Sequence, residues 1–309
     1  MVRILVSLIL FPLISQAAIY GVDDRVEANQ SVVAKRFSSA MAMMISPVYM
    51  KQAADQTWSV DYPVSSSDDG YGICPSERFA VQPASTLTCT GFLIAPNLLV
   101  TAGHCMVNVG EAVDVQNPQC RDFHWLFDFM TDVNGRVQTT GIAPERVVRC
   151  KRVVYAVHEG RYDPKTQITH PGKDFAIVEL ETAQPHRAVL PLANSFVKPR
   201  EAISSFGYPL GLALKSMGTA SVVEQTHPEY ARTTLDTLSG NSGSPVLNTK
   251  NEVVGIVVRA FPDDFVDVPG MACSKLNRCT QDLRSCTEAD PRFPIGSQIQ
   301  SILSVRDRL

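Results

Sequence analysis

Short apolar segments rich in β-branched residues recur along the chain, and they constrain its fold more than any other feature. Pro, Gly, Asn and Asp turn signals separate these segments, and long amphipathic helical periods are scarce. Such a pattern predicts an all-β barrel or sandwich. The predicted strands are residues 88–94, 98–101, 146–157, 175–180, 202–206, 220–223 and 253–258. The alternating apolar and polar residues 297–306 suit a short C-terminal helix.

Length and composition indicate two domains. The chain has 309 residues, 45% of them hydrophobic, and domains commonly hold roughly 100 to 200 residues. Pro185 and Pro191 interrupt the strand pattern, so we predict one β domain over residues 18–190 and a second over residues 191–309. Two segments of the first domain are predicted to be surface insertions, residues 56–83 and residues 120–144.

The first residues have the pattern of an export signal. Arg3 precedes an apolar run over residues 4–14, and Ser15, Gln16 and Ala17 form a small-x-small cleavage pattern. We therefore predict a signal peptide over residues 1–17 and a secreted or periplasmic mature chain that begins near Ala18. The apolar run is shorter than the about 20 residues that span a bilayer, so no membrane association is expected after its removal.

The charge pattern excludes one class of partner. The formal net charge is −3, and the Lys and Arg residues are scattered rather than gathered in a basic stripe. We therefore expect no nucleic-acid partner.

Eight cysteines follow the export signal, and an even number in an oxidising compartment favours disulfides over metal binding. No pair is spaced C-x-x-C, so no metal site is predicted. A Cys89–Cys105 bridge would join two neighbouring strands, and a Cys120–Cys150 bridge would close the insertion between them. Three pairings remain open for the other four cysteines, which are Cys74, Cys273, Cys279 and Cys286.

The strongest chemical signal is the segment 240–245, which reads Gly-Asn-Ser-Gly-Ser-Pro. The glycines on either side of Asn241 and Ser242 allow a tight turn that exposes the hydroxyl and aims the amides of Gly240 and Ser242 at one point. Two such donors could hold the oxyanion of a tetrahedral acyl intermediate, worth about 10²–10³ in rate per donor. Taken alone, the segment fits a turn between strands equally well.

A serine nucleophile requires a histidine base and a carboxylate that orients it. His104, one of six histidines, stands in a Thr-Ala-Gly-His-Cys run directly after a predicted strand. Asp174 enters the apolar run 175–180, where a buried charge needs a partner. A lone histidine is more often a surface or core residue, but the flanking strand and Cys105 favour a functional one. Asp163, in a turn before proline, is the less favoured carboxylate.

These motifs occur in the order His104, Asp174, Ser242, and together they resemble the chymotrypsin/trypsin-like serine protease family, over roughly residues 20–304. The run 207–212, Gly-Tyr-Pro-Leu-Gly-Leu, is similar to bacterial trypsin-like peptidases near the glutamyl-endopeptidase branch. The resemblance implies two six-stranded β-barrels with the active site between them. It also implies an endopeptidase that acts on protein or peptide substrates through an acyl-enzyme and needs no cofactor.

The resemblance also identifies a substrate pocket, made of Asp236, Thr237 and Val257. Asp236, six residues before the serine, matches the pocket-base aspartate of trypsin-like enzymes, which implies a preference for basic P1 side chains. A structural aspartate in a turn is equally compatible with the sequence. Val257 stands where glutamyl-specific relatives have histidine, which argues against a preference for glutamate. Arg259, in the expected pocket wall, would oppose a basic substrate if it pointed inward.

The residue before Ser242 bears on activation, and two other functions compete with a serine protease. Asn241 replaces the aspartate that pairs with the new N-terminus in many family members, so the usual activation switch is not expected. The main alternative function is a catalytically silent binding module with a protease fold. An α/β-hydrolase does not fit, because that class carries Gly-x-Ser-x-Gly and places histidine last in the chain.

Overall fold

A computed structural model of the protein describes residues 18–67, 70–84, 88–113, 117–159, 161–163, 168–170, 172–290 and 293–309. The predicted signal peptide, residues 1–17, lies outside the described residues. Within them, no helix is long and apolar enough to cross a bilayer.

Strands dominate the described residues, as the sequence predicts. The strands of the first half are β1 Ile19–Tyr20, β2 Val26–Glu27, β3 Met41–Ile45, β4 Met50–Gln52, β5 Trp58–Val60, β6 Thr88–Ala95, β7 Leu98–Thr101, β8 His124–Phe127, β9 Val147–His158, β10 Arg161–Asp163, β11 Ile168–His170 and β12 Asp174–Leu180. Those of the second half are β13 Ala202–Gly207, β14 Lys215–His227, β15 Tyr230–Thr233, β16 Pro245–Leu247, β17 Val253–Phe261, β18 Phe265–Asp267, β19 Ser274–Leu276, β20 Arg278–Cys279 and β21 Gly296–Ser301. The α-helices are α1 Val32–Phe37, α2 Pro118–Asp122 and α3 Ile302–Arg306.

Six strands close the first barrel in the order β12-β7-β6-β3-β8-β9. Its interior is filled by large apolar side chains, including Phe92, Trp125, Phe127 and Phe175, each exposed by 1% or less. Burial of such rings supplies much of the apolar area that stabilises a barrel of this size.

Six strands also close the second barrel, in the order β13-β16-β17-β21-β15-β14, and pairing of β13 with β14 completes the ring. Strand β2, from the start of the chain, adds to the outer side of β14. The prediction of two six-stranded β-barrels is confirmed. The barrel strands fall on either side of the predicted boundary at residues 190 and 191, which itself stays a prediction.

The last segment forms a helix over a shorter range than predicted. Residues 297–301 belong to strand β21, which is buried on both faces between β15 and β17, and only Ile302–Arg306 is helical. Ile299 is the one apolar residue among 297–301, and the four polar residues around it are buried, so the composition carries no signal of a buried strand. Ile302 and Val305 of α3 pack into the apolar cluster that contains Phe175 of the first barrel.

The prediction that residues 120–144 form a surface insertion is wrong for part of that segment. His124–Phe127 is barrel strand β8, buried along its whole length and paired with β3 and β9. Turn signals stand on both sides of this run, at Asn117-Pro118 and Asn134-Gly135, so the pattern indicated a loop instead of a strand.

Four disulfides account for all eight cysteines. Cys89–Cys105 and Cys120–Cys150 pair as predicted, and the structure selects Cys74–Cys273 and Cys279–Cys286 from the open pairings. The Cys74–Cys273 bridge joins the segment 56–83 to the second half of the chain, so that segment is tied down covalently. Disulfides of this kind are typical of proteins outside the cytoplasm.

Candidate active site

Two glycines with positive φ values and strand β6 of the first barrel fix the conformation of the Ser242 loop. Gly240 and Gly243 have φ values of +92° and +87°, in a region that residues other than glycine rarely adopt. Thr90 of β6 donates its hydroxyl to the Gly240 carbonyl at 2.8 Å and its amide to the Ser242 carbonyl at 2.8 Å. Strand β6 therefore fixes the loop at the junction of the two barrels.

The loop leaves two backbone amides free to act together. Within the described part of the chain, neither the Gly240 nor the Ser242 amide donates a hydrogen bond, whereas the amides of Asn241 and Gly243 bond to Leu238 and Val257. These two amides are the ones that the sequence predicts for an oxyanion hole.

His104 sits in a short 3₁₀ turn, Gly103–Cys105, directly after β7. The Cys89–Cys105 disulfide ties this turn to β6, and a Cβ at Gly103 would collide with the Val157 carbonyl of β9. The turn therefore packs tightly enough to fix the imidazole. Its Nε2 lies 2.8 Å from the Ser242 Oγ.

Asp174 begins strand β12 and lies at Nδ1, the second nitrogen of the same imidazole. Its Oδ2 lies 2.9 Å from His104 Nδ1, and its Oδ1 accepts a hydrogen bond from the His104 amide at 2.9 Å. The residue is 1% exposed. Burial by itself raises the pKa of Asp174, but the charge and hydrogen bond of His104 lower the pKa well below its ordinary value, with help from Arg259.

The geometry joins three side chains from distant parts of the sequence into one hydrogen-bonded chain. A family model described as the trypsin-like peptidase domain matches residues 89–256, more than half of the protein. The chain belongs to the trypsin-like peptidase family. It is accordingly a serine endopeptidase.

Solved structures similar to this trypsin-like peptidase are proteases as well. A Glu endopeptidase shares 19% identity, with a TM-score of 0.45 over 79% of this chain and 88% of that one. The active form of the Rv3671c protease from M. tuberculosis shares 14%, with a TM-score of 0.45 over 99% and 93%. A serine endoprotease from Yersinia pestis shares 14%, with a TM-score of 0.44 over 91% and 65%.

Two residues of this peptidase contact Asp174 although the sequence did not predict that contact. The Arg259 Nη2 lies 3.3 Å from Asp174 Oδ2, so the guanidinium points at the carboxylate. Gln300 of β21 accepts a hydrogen bond from the Asp174 amide at 3.2 Å. A charged side chain inside the apolar strand β17 is a sequence signal that could have identified Arg259, because a buried cation needs a carboxylate partner. For Gln300 the sequence holds no comparable signal.

The three predicted pocket residues lie close to the Ser242 loop but are buried. Asp236, Thr237 and Val257 are exposed by 3%, 1% and 2%. Asp236 Oδ1 accepts the Tyr20 amide at 2.7 Å, while its Oδ2 is buried and, among the described residues, has no partner. Burial raises the pKa of Asp236 to about 8, despite the hydrogen bond from Tyr20.

The segment that begins at Ala18 packs against Asp236 and Thr237. Ala18 and Tyr20 are 0% and 2% exposed, and the Tyr20 hydroxyl donates to the Phe261 carbonyl at 2.8 Å. Asn241, by contrast, bonds within its own loop, since its Oδ1 accepts the Leu238 amide at 3.0 Å. The N-terminal strand therefore contacts Asp236 rather than the residue before the serine.

One group of potential metal ligands includes the histidine of this site. Potential ligand atoms of Cys89, His104 and Cys105 lie within 4.8 Å of one another. Both sulfurs belong to a disulfide, so neither is available as a thiolate ligand.

Proposed function

We propose that this peptidase hydrolyses peptide bonds through an acyl-enzyme formed on Ser242, with His104 as general base and Asp174 as the group that orients it. The observation that carries the proposal is the continuous chain of contacts from Asp174 through His104 to Ser242, at 2.9 and 2.8 Å. These distances are within hydrogen-bond reach for proton transfer.

The proposed reaction has two halves. In the first, Ser242 Oγ bonds to the substrate carbonyl carbon while its proton passes to His104 Nε2. The C–N bond then breaks, and His104 gives that proton to the departing amine. In the second half a water molecule attacks the acyl carbon, His104 takes its proton, and Ser242 leaves with the proton restored. The amides of Gly240 and Ser242 would stabilise the oxyanion in both halves.

Labelling with a serine-reactive fluorophosphonate tests the nucleophile. We expect a single modified residue, Ser242, by peptide mass spectrometry, and cleavage of a mixed peptide library by the same preparation. Ser242→Ala should abolish labelling and lower kcat by about 10⁶-fold, as in a studied serine protease.

Ser244→Ala provides a matched control from the same loop, since Ser244 contacts Asn241 and not His104. This variant should still be labelled at Ser242. A folded wild-type protein that is neither labelled nor active would contradict the proposal and favour a silent binding module with a protease fold.

We further propose that the chain is exported. Four disulfides support an extracytoplasmic location. If residues 1–17 are a signal peptide, the intact mass of the mature protein corresponds to a chain that starts at Ala18. Retention of residues 1–17 in the exported protein would contradict the proposed cleavage site.

Preference for a basic P1 side chain stays a prediction that rests on Asp236. Among the described residues, the buried Asp236 Oδ2 atom has no hydrogen-bond partner and could accept a cation, and this supports the prediction. Burial at 3% exposure and the hydrogen bond from Tyr20 favour the structural role instead.

A further inference from the structure

Arg259 lies in an otherwise apolar strand. Strand β17, Val253–Phe261, contains no other charged residue, and the Arg259 side chain is only 15% exposed. In the pairing of β17 with β21, the register shifts between Val257 and Arg259, which leaves Val258 as an extra residue. Such a bulge turns the following side chain to a new direction. Here the residue after the bulge places its guanidinium beside Asp174.

The guanidinium and the imidazole share one carboxylate oxygen. Asp174 Oδ2 lies 2.9 Å from His104 Nδ1 and 3.3 Å from Arg259 Nη2. The His158 ring lies beside His104, with centroids 5.6 Å apart. Burial, the largest effect, lowers the pKa of His158, the Asp174 carboxylate raises it, and the charges of His104 and Arg259 lower it, with a net downward shift. The surroundings of the His158 ring therefore disfavour its charged form.

The other two polar side chains next to Asp174, Gln300 and Lys173, both interact with Glu229. Gln300 accepts the Asp174 amide and donates its Nε2 to Glu229 at 3.1 Å. Lys173, the residue before Asp174, lies 3.8 Å from the same Glu229. Among the described residues, Arg259 is thus the one Lys or Arg in ion-pair distance of the Asp174 carboxylate.

The charge of Arg259 also acts on Tyr230, the residue after Glu229. Burial, the larger effect, raises the pKa of Tyr230, and the charge of Arg259 lowers it. Tyr230 therefore stays neutral over the working pH range and does not compensate the guanidinium. The charge of Arg259 is compensated chiefly by Asp174.

We propose that Arg259 is a positioning residue that anchors Oδ2 of Asp174 and opposes protonation of His104, so that the peptidase retains activity at lower pH. This inference rests on the proposed function, because it acts through the triad. The anchoring hydrogen bond holds the carboxylate against the imidazole. The positive charge offsets part of the negative field that would otherwise favour the imidazolium, the form of His104 that cannot act as a base.

The pH dependence of kcat/KM tests the inference, measured on a peptide substrate without ionisable side chains. Arg259→Gln keeps a hydrogen-bond donor and removes the charge. We expect the acid limb of its profile to move to higher pH by about 0.5–1 pH unit, the size expected for one charge in a partly screened site. Arg259→Lys keeps the charge and should keep the wild-type midpoint.

Arg232→Gln is a matched control in the same barrel, because Arg232 pairs with Glu224 instead of Asp174. It removes one positive charge and should leave the acid limb in place. An unchanged limb in Arg259→Gln, or an equal shift in Arg232→Gln, would overturn the inference.

Folding is checked by thermal unfolding and by fluorophosphonate labelling, and Arg259→Met provides a second neutral variant of similar size. If both neutral variants failed to fold, Arg259 would have a structural role and the inference would be overturned. Failure of the proposed function looks different, since the wild-type protein itself would then show no labelling and no turnover.

Discussion

Asp174 and Asp236 are both buried aspartates near Ser242, yet their surroundings differ sharply. Asp174 is contacted by the His104 ring, the His104 amide and the Arg259 guanidinium, and its pKa lies well below the ordinary value. Asp236 receives one hydrogen bond, from the Tyr20 amide, and burial raises its pKa to about 8. Two carboxyl groups with almost the same exposure are therefore held in opposite protonation states at neutral pH.

The comparison shows that burial alone does not decide the charge of a carboxyl group. Hydrogen-bond donors and cations offset the free-energy cost of desolvating the Asp174 carboxylate, whereas Asp236 has one neutral donor among the described residues and stays protonated. A charged carboxylate can orient an imidazole and stabilise its protonated form. A neutral one can serve as a hydrogen-bonding anchor for the N-terminal strand.

The largest expected effect is on turnover, and it follows from Asp174. We expect Asp174→Asn to lower kcat by about 10⁴-fold, because an amide favours the wrong tautomer of His104. Asp236→Asn is the matched change at the other aspartate and should leave kcat within several-fold of wild type. Similar losses in the two variants, measured on one peptide substrate, would break the comparison.

The next effect concerns stability. The pKa of Asp236 is raised in the folded state above the ordinary value near 4, so the folded protein binds the proton more tightly. Its contribution is then full below about pH 4 and is lost as the pH rises toward 8. In Asp236→Asn this contribution is absent, so the free energy of unfolding should fall by a few kcal/mol less than in the wild type as the pH rises from about 4 to about 8.

Urea unfolding at pH 5, 6.5 and 8 would measure the stability effect. Asp264, whose pKa burial raises to about 7, contributes a slope of the same sign that remains in the variant. A wild-type slope in Asp236→Asn would mean that Asp236 ionises normally in the folded protein.

The smallest expected effect is on substrate preference. If Asp236 is a neutral anchor, Asp236→Asn should change kcat/KM for Arg and Lys peptides by less than about threefold relative to neutral peptides. A selective loss on basic substrates of about 100-fold would show instead that the carboxylate reaches the P1 side chain as an anion. That result would support the basic preference predicted from sequence.

Much of the site was predictable because its signals are local. His104 follows a strand and precedes a cysteine, Asp174 opens an apolar strand, and Ser242 lies between glycines. The structure brings these three side chains together as expected. Strand β8 was missed because turn signals surround it, and β21 was misassigned because its residues are mostly polar although they are buried.

By itself the sequence determined the all-β class and pointed to three candidate triad residues, since these depend on patterns within a few residues, and the family resemblance of those motifs implied the two-barrel fold. Only the tertiary structure decided that Arg259 meets Asp174, 85 residues away, and that Tyr20 meets Asp236, 216 residues away. The physical reason is strand register: a bulge of one residue redirects Arg259, and the pairing of β1 with β20 places Tyr20 over Asp236. No local pattern encodes either alignment.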